Sequence, residues 1–210
     1  MTTGFQPAPV PADADINGLR RAAADCRACE LWEPATQVVF SAGNPNARMV
    51  LVGEQPGDVE DRQGIPFVGP AGTLLQRALA DAEVDVSDVY VTNAVKHFRF
   101  TLRGKRRIHA TPLVSHIKAC RPWIEAELRV VDPRLIVCLG ATAAKALLGN
   151  DFRVTQQRGQ VLDLATPVGV RPVLATAHPS SVLRATDDDR DTAYDSLVAD
   201  LRVARHALDR

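Results

Sequence analysis

The sequence contains four cysteines, and two of them form a Cys-x-x-Cys pair. The pair is Cys26 and Cys29, and the others are Cys120 and Cys138. In a cytoplasmic protein, this number of cysteines with one close pair favours a metal site over disulfides. Four thiolates suit a tetrahedral zinc ion or a [4Fe–4S] cluster, and the spacing does not separate the two. The alternative is four buried cysteines that behave as small apolar side chains.

The most basic stretch of the chain lies between Lys96 and Ala110. Its further cationic side chains are Arg99, Arg103, Lys105, Arg106 and Arg107. The whole chain balances 25 basic against 25 acidic residues, so any contact with nucleic acid has to come from local clustering of this kind. Such a cluster is suited to phosphate contacts, although solvated loops often have the same composition.

Three polar residues follow apolar runs that are typical of buried strands. They are Glu54 after residues 49–52, Asn93 after residues 89–92 and His178 after residues 173–176. In open α/β sheets, ligands bind beyond the carboxyl ends of the strands. We therefore expect the loops that carry these residues to meet in one cleft. By residue type alone, Asn93 is also compatible with a turn at a strand end.

Longer motifs around these residues resemble those of the family 4, iron–sulfur uracil-DNA glycosylases. The matching segments are Gly53-Glu54-Gln55-Pro56-Gly57 with Gly64-Ile65-Pro66-Phe67-Val68-Gly69, then Asn93 in Thr-Asn-Ala-Val-Lys, and His178-Pro179-Ser180. The four cysteines fall where that family holds its [4Fe–4S] cluster, so the resemblance implies this cofactor. It covers nearly the whole chain after about Asp15. The implied activity is excision of uracil from single-stranded DNA, or from a duplex with the base flipped out.

Two features look like the UdgX branch of these enzymes: the segment Gly104-Lys105-Arg106-Arg107-Ile108-His109, and Gln55 in place of the usual small residue. In that branch the His of the Arg-rich loop becomes bonded to DNA. The resemblance thus implies that His109 attacks C1′ of the sugar and leaves a protein–DNA adduct. One alternative keeps the pocket but lets water attack, which gives free uracil, an abasic site and turnover. A non-catalytic sensor of uracil-containing DNA is the other alternative.

The resemblance also implies roles for the pocket residues, because the stretching bond leaves a positive sugar and a negative base. Asn93 would donate to uracil O4 and accept from N3–H, while Phe67, otherwise a core aromatic, would stack on the ring. His178 and backbone N–H groups near Gln55 would donate to O2. Glu54 would stabilise the sugar, accept a proton or orient water. The implied DNA contacts are Lys105, Arg106, Arg107, Ser180 and Arg184.

The elements that must position these residues predict one α/β domain. Apolar runs alternate with helical periodicity, which indicates a three-layer α/β/α sandwich around a central, mainly parallel four-stranded sheet, the uracil-DNA glycosylase fold. The predicted strands are residues 49–52, 89–92, 135–139 and 173–176. The predicted helices are residues 16–26, 74–82, 111–131, 141–148 and 191–208. Within the third helix, which we expect to begin at Thr111-Pro112, a break is expected near Cys120 to Pro122.

The chain has 210 residues and 46% apolar side chains, enough for one buried core. Residues 1–15 are rich in Pro and Ala, so we expect a disordered tail before a single domain over residues 16–210. No run approaches the roughly 20 apolar residues that cross a bilayer, and no basic segment with an apolar core begins the chain. We therefore expect a cytoplasmic monomer that does not associate with membranes.

Overall fold

The computed structural model describes residues 7–209 and contains a central six-stranded sheet. The strands of this sheet are β1 Ser41–Gly43, β2 Met49–Gly53, β3 Val89–Asn93, β6 Leu135–Leu139, β7 Val161–Thr166 and β8 Gly169–Thr176, and a separate hairpin is formed by β4 Phe100–Arg103 and β5 Arg106–His109. The order in the sheet is β1-β3-β2-β6-β8-β7. Strands β3, β2, β6 and β8 are parallel, so their carboxyl ends share one edge.

Helices cover both faces of the sheet. They are α1 Ile16–Ala23, α2 Asp58–Gln63, α3 Pro70–Asp81, α4 Val114–Val131, α5 Ala141–Leu148, α6 Val154–Gln157, α7 Pro179–Leu183 and α8 Asp187–Leu208. Alternate residues of the parallel strands face opposite sides, as the period of a strand requires. For example, Val50 and Ile136 pack in the core with Trp123 of α4, while Leu51 and Val137 pack in the core with Leu201 of α8. The predicted three-layer sandwich is confirmed.

The sheet has two more strands than the four predicted. The four predicted strands are its parallel centre, and the additional strands are antiparallel edges, β1 on β3 and β7 on β8. Strand β1 has only three residues. Strand β7 alternates exposed and half-buried residues, since an edge strand buries little on either face. Neither produces the continuous apolar run that marked the central strands.

Helix α4 corrects two predictions. It begins at Val114, not at Thr111-Pro112, and the Leu113 N–H donates to Nδ1 of His116 at its start (3.0 Å). It also continues through Pro122 without the expected break. A proline removes one helical hydrogen bond. Here that loss is offset by the next residue, Trp123, which is fully buried and donates its indole N–H to Cys26 Sγ (3.3 Å).

The basic segment expected to be a loop is instead the hairpin of β4 and β5. Its register pairs Phe100 with His109 and Arg103 with Arg106. Gly104 has a φ of +61°, which favours glycine and allows the tight turn between the strands. His109 is therefore the last residue of a hydrogen-bonded strand, which restricts its position more than a loop would.

Part of the N-terminal segment is packed. Residues 1–6 of the expected tail lie outside the described residues. Ala8 is buried and donates its N–H to the carbonyl of Ala119 in α4 (3.2 Å). Asp15 caps α1 by accepting from the Gly18 N–H (2.7 Å), as predicted. Between residues 7 and 209, no helix combines the length and apolar character needed to span a membrane.

Candidate active site

A cleft of about 1100 Å³ opens at the carboxyl ends of the parallel strands. The predicted site residues that line it are Glu54, Gln55, Phe67, Asn93, His109, His178, Ser180 and Arg184. The structure thus brings together residues from three separate loops and from the hairpin. Lys105, Arg106, Arg107 and the four cysteines are not part of the lining.

Asn93 reaches the cleft because the strand beside it ends in glycine. Strands β2 and β3 pair in parallel with Gly53 opposite Asn93. A Cβ at Gly53 would lie 2.3 Å from Asn93 Oδ1 and 2.7 Å from Cζ of Phe67, so no larger residue fits without displacing both. Asn93 is 2% exposed, and its Oδ1 has no hydrogen-bond partner among residues 7–209. A buried carbonyl oxygen without a partner favours a ligand that donates to it.

Phe67 is held in a strained conformation at the cleft wall. Its φ is +56°, in the left-handed region that aromatic residues rarely adopt. Gly72 permits this turn, because a Cβ there would lie 1.6 Å from the Phe67 carbonyl oxygen. The Phe67 ring lies 6.1 Å from the His178 ring with 28° between their planes. The two rings form neighbouring aromatic surfaces against which a planar base can pack.

His178 is fixed as a neutral donor. Its Nδ1 accepts from the Ser180 N–H (3.1 Å) and lies 2.8 Å from Ser180 Oγ, which in turn accepts from Arg184 (3.0 Å). Because Nδ1 is an acceptor, the ring proton belongs on Nε2. Burial lowers the pKa of His178 to about 4, so the ring is neutral at pH 7. A neutral Nε2–H suits a base oxygen that gains negative charge.

Glu54 and His109 are in contact with each other in the lining of the cleft. His109 Nε2 lies 3.2 Å from Glu54 Oε1. The alignment falls short of a hydrogen bond, so Oε1 keeps a free acceptor position among the described residues. Burial raises the pKa of the Glu54 carboxyl, but the polar groups of His109 and Thr142 outweigh burial and hold this pKa below its usual value. Glu54 is therefore a carboxylate at neutral pH.

Gln55 anchors the hairpin at its base. Its Nε2 donates to the carbonyls of Arg99 (3.0 Å) and Ala110 (3.2 Å), and its Oε1 accepts from the Arg99 N–H (3.1 Å). Arg99 and Ala110 flank the two strands of the hairpin. The side chain is 7% exposed and uses these groups within the protein, so it fixes the strand that ends in His109.

Arg107 provides a second anchor for the hairpin. We expected it to contact DNA, but its guanidinium forms ion pairs with Asp58 and with Asp61 (Nη1–Oδ2 2.7 Å). It also packs over the rings of Phe98 and Phe100, 5.4 Å and 5.1 Å from their centroids. Its side chain is only 12% exposed. An arginine that pairs with two carboxylates and stacks on aromatic rings is committed to holding structure.

Lys105 and Arg106 lie at the exposed tip of the hairpin. Arg106 pairs with Arg103 across the strands, and both are exposed on the side opposite to Arg107. Ser180 and Arg184 line the cleft, on α7 and just after it.

The four cysteines lie on the α4 face of the sheet. Cys26 and Cys138 belong to the core there, and Cys120 packs with Cys29 in a small adjoining cluster. A hydrogen bond from Cys120 lowers the pKa of the Cys29 thiol, whereas burial raises the pKa of Cys138 to about 12. Within residues 7–209, no three His, Cys, Asp or Glu side chains could hold one metal ion together. By donor type, four cysteine thiolates are the ligands that a [4Fe–4S] cluster takes, one for each iron.

The lining also contains residues that were not predicted from the sequence, and two polar ones among them are Thr142 and Arg158. Thr142 lies in the first turn of α5, directly beyond β6, and its polar group helps to keep Glu54 ionised. Arg158 is held by Asp200 (Nε–Oδ2 3.0 Å) and by the Ser196 carbonyl (2.6 Å). The strand-end rule could have identified Thr142, because Leu139 ends a predicted strand. Arg158 follows α6, a helix of four residues that is too short to show an apolar periodicity.

The low pKa of His178 predicts a stability that depends on pH. In the unfolded chain the ring binds a proton below its ordinary pKa of 6.5, whereas in the folded chain it stays neutral down to about 4. The unfolded state binds more protons between these values, so the free energy of unfolding should fall with falling pH, by up to about 1.4 kcal/mol per pH unit. Urea unfolding of wild type and His178→Gln at pH 7 and pH 5 measures this, and equal losses in both proteins would contradict it.

Comparison with known proteins agrees with this geometry. The profile of the uracil DNA glycosylase superfamily matches residues 40–202. The chain is 38% identical over 160 residues to a type-4 uracil-DNA glycosylase of Thermotoga maritima, covering 76% of this chain and 78% of that protein. It is 34% identical over 172 residues to a type-4 uracil-DNA glycosylase of Archaeoglobus fulgidus, covering 80% and 83%. The chain belongs to the uracil DNA glycosylase superfamily.

Proposed function

We propose that this protein excises uracil from DNA and that His109 then becomes covalently bonded to C1′ of the sugar. The observation that carries the proposal is the 3.2 Å contact between His109 and Glu54 at the mouth of the cleft, on a hairpin fixed at two points. Uracil excision agrees with the names of the related type-4 glycosylases. The bond to His109 rests on the geometry and on the resemblance to the UdgX branch.

The pocket can stabilise the leaving base. Asn93 Oδ1 lacks a donor among the described residues, and uracil N3–H would supply one while the Asn93 amide donates to O4. Cytosine has no proton on N3 and carries a donor in place of O4, so it would leave these groups unpaired. His178 Nε2–H would donate to O2 as the base gathers negative charge. Phe67 would cover one face of the ring.

The proposed reaction has three steps. The C1′–N1 bond breaks, its electron pair leaves with uracil, and the sugar becomes an oxocarbenium-like cation that the Glu54 carboxylate stabilises. A lone pair on a nitrogen of neutral His109 forms the new bond to C1′. The imidazolium that results gives its N–H proton to Glu54 or to the uracil anion. A group held next to the reacting carbon has a large proximity advantage over water, so His109 captures the sugar first.

The competing reaction is ordinary hydrolysis in the same pocket. Water activated by Glu54 would release an abasic site and allow turnover. The observation that favours capture by His109 is the anchoring of its hairpin. Gln55 and Arg107 hold the strand in place before any DNA is bound, which removes the entropy cost of bringing the imidazole to the sugar.

DNA would contact both walls of the cleft. Lys105 and Arg106 would bind phosphates from the hairpin tip, and Ser180 and Arg184 would bind the backbone beside the flipped nucleotide. We reassign Arg107 from phosphate contact to hairpin anchor, because its cationic group is already paired with two carboxylates. The substrate would be single-stranded DNA or a duplex with the base flipped out.

We also propose that Cys26, Cys29, Cys120 and Cys138 hold a [4Fe–4S] cluster. Cys138 is fully buried in the same core cluster as Cys26, and cysteine thiolates are the usual ligands of such clusters. The indole N–H of Trp123 already donates to Cys26 Sγ, as donors to cluster sulfurs do. When bound, the cluster would join the segment after α1 to α4 and β6 and so stabilise the fold.

The covalent step predicts the behaviour of His109→Ser. This variant should form no adduct with a uracil-containing oligonucleotide, yet still release uracil, now with turnover. Serine leaves room for water, while Glu54, Asn93 and His178 still stabilise the transition state. Denaturing mass spectrometry detects the adduct, and release of labelled uracil measures excision.

His206→Ser, on the exposed side of α8, is the matched control and should form the adduct at the wild-type rate. An adduct that persists in His109→Ser would place the nucleophile elsewhere. Loss of both adduct and excision would mean that His109 helps to break the bond instead of capturing its product.

The assignment of phosphate contacts predicts a change in salt dependence. Replacing Lys105 and Arg106 together by Gln should weaken DNA binding more at low salt than at high salt. The slope of log K against log salt should fall by about 1 to 2, because fewer counterions are released. Fluorescence anisotropy over a salt series measures the slope. Arg129→Gln, near the end of α4 at the opposite edge of the sheet, is the control, and an unchanged slope in the double variant would rule out these contacts.

The cluster predicts a metal content. The purified protein should be brown and contain about four iron and about four sulfide ions per chain. Cys26→Ala should lose iron and lower the free energy of unfolding before it changes any chemical step, because a bound metal stabilises only the folded state. Metal analysis and denaturant unfolding test both statements. Zinc as the native metal would contradict the proposal.

A further inference from the structure

A buried ionic network lies behind the pocket, between β3 and α4. Lys96 Nζ lies 2.5 Å from Glu127 Oε2, and each side chain is 1% exposed. Lys96 also donates to the hydroxyl of Thr92 and to the carbonyl of Phe40 (3.4 Å). Tyr90 donates its hydroxyl to Glu127 Oε1 (2.8 Å). The three protons of the ammonium group and both carboxylate oxygens therefore have partners.

Stability alone does not account for such a pair. Removing two charges from water costs about as much as their attraction returns, and apolar replacements of similar volume are often neutral or stabilising. A fully satisfied network does, however, fix its members in one arrangement. Here the member that is fixed is Lys96, because Glu127 belongs to the long helix α4 and Tyr90 and Thr92 belong to β3.

The backbone connects Lys96 directly to the pocket. The Ala94 N–H donates to the Gly53 carbonyl (2.8 Å), and the Val95 N–H donates to the Glu54 carbonyl (3.0 Å). These bonds extend the pairing of β2 with β3 beyond Asn93. The segment from Asn93 to Lys96 thus carries one pocket residue and supports the backbone of another. Neither Lys96 nor Glu127 belongs to the lining of the cleft.

We propose that the Lys96–Glu127 ion pair is a positioning device for the uracil pocket. By holding the end of the Asn93–Lys96 segment, it sets where the Asn93 amide meets the base and where Glu54 meets the sugar. The proposal rests on the functions proposed above for Asn93 and Glu54. Both Lys96 and Glu127 act through these residues and touch no substrate.

The test replaces the pair by apolar residues of similar volume, Lys96→Met with Glu127→Leu, and separately by Glu127→Gln. Single-turnover excision rates are measured for uracil and for 5-fluorouracil in the same oligonucleotide. Fluorine withdraws electrons, so 5-fluorouracil leaves with less help from Asn93. Inactive protein lowers the amplitude of a single turnover but not its rate, so partial misfolding does not imitate the effect.

If the pair positions Asn93, the uracil rate should fall about tenfold or more in both variants, and the 5-fluorouracil rate should fall several-fold less, since small misplacements cost large factors. Asn93→Ala provides the reference and should change the ratio of the two rates in the same direction. Arg48→Gln with Asp88→Asn removes an ion pair at the amino ends of the same strands and should leave the ratio unchanged.

A wild-type ratio in Glu127→Gln, or in the double variant, would overturn the positioning role while leaving the proposed function intact. An unchanged ratio in Asn93→Ala would instead contradict the proposed reading of the base. Should the double variant fail to fold, Glu127→Gln, which keeps the shape of the side chain, still decides the question.

Discussion

The pocket depends on the close approach of two parallel strands at a position without a side chain. Gly53 lies opposite Asn93, and there is no room for a Cβ between the Asn93 amide and the Phe67 ring. The same register places Glu54 one residue beyond this contact. Backbone pairing therefore brings a buried amide beside a carboxylate, and the loop that carries Phe67 adds an aromatic wall.

The hairpin adds His109 to this pocket without making it mobile. Gln55 directly follows Glu54. Its side-chain amide forms hydrogen bonds with Arg99 and Ala110, the two residues that flank the hairpin. Arg107 fastens the second strand to the carboxylates of Asp58 and Asp61. The two sequence features that resemble the UdgX branch, the glutamine and the basic segment, are thus parts of one physical unit. The geometry explains why each would be of little use without the other.

The sequence predicted the centre of the fold better than its edges. Buried parallel strands produce continuous apolar runs, so β2, β3, β6 and β8 were recognisable, and α5 was predicted with its observed bounds. Strands β1 and β7 pair on one side only, so they lack the continuous apolar run of the central strands. The hairpin was read as a loop because its two strands are mostly polar. The sequence predicts a DNA contact for Arg107, because the composition of a segment does not show the direction of each side chain. The carboxylate partners of Arg107 lie more than forty positions earlier in the chain, so their proximity is not visible in the sequence.

The inward turn of Arg107 has a consequence for how the protein finds its target. Two anionic partners neutralise this side chain, so the exposed cations of the hairpin are Arg103, Lys105 and Arg106, and the whole chain carries no net charge. With fewer phosphate contacts, encounters of the proposed glycosylase with ordinary DNA would be shorter. A protein that the proposed chemistry consumes at its first productive encounter gains from this property, because each molecule stays available until it meets uracil.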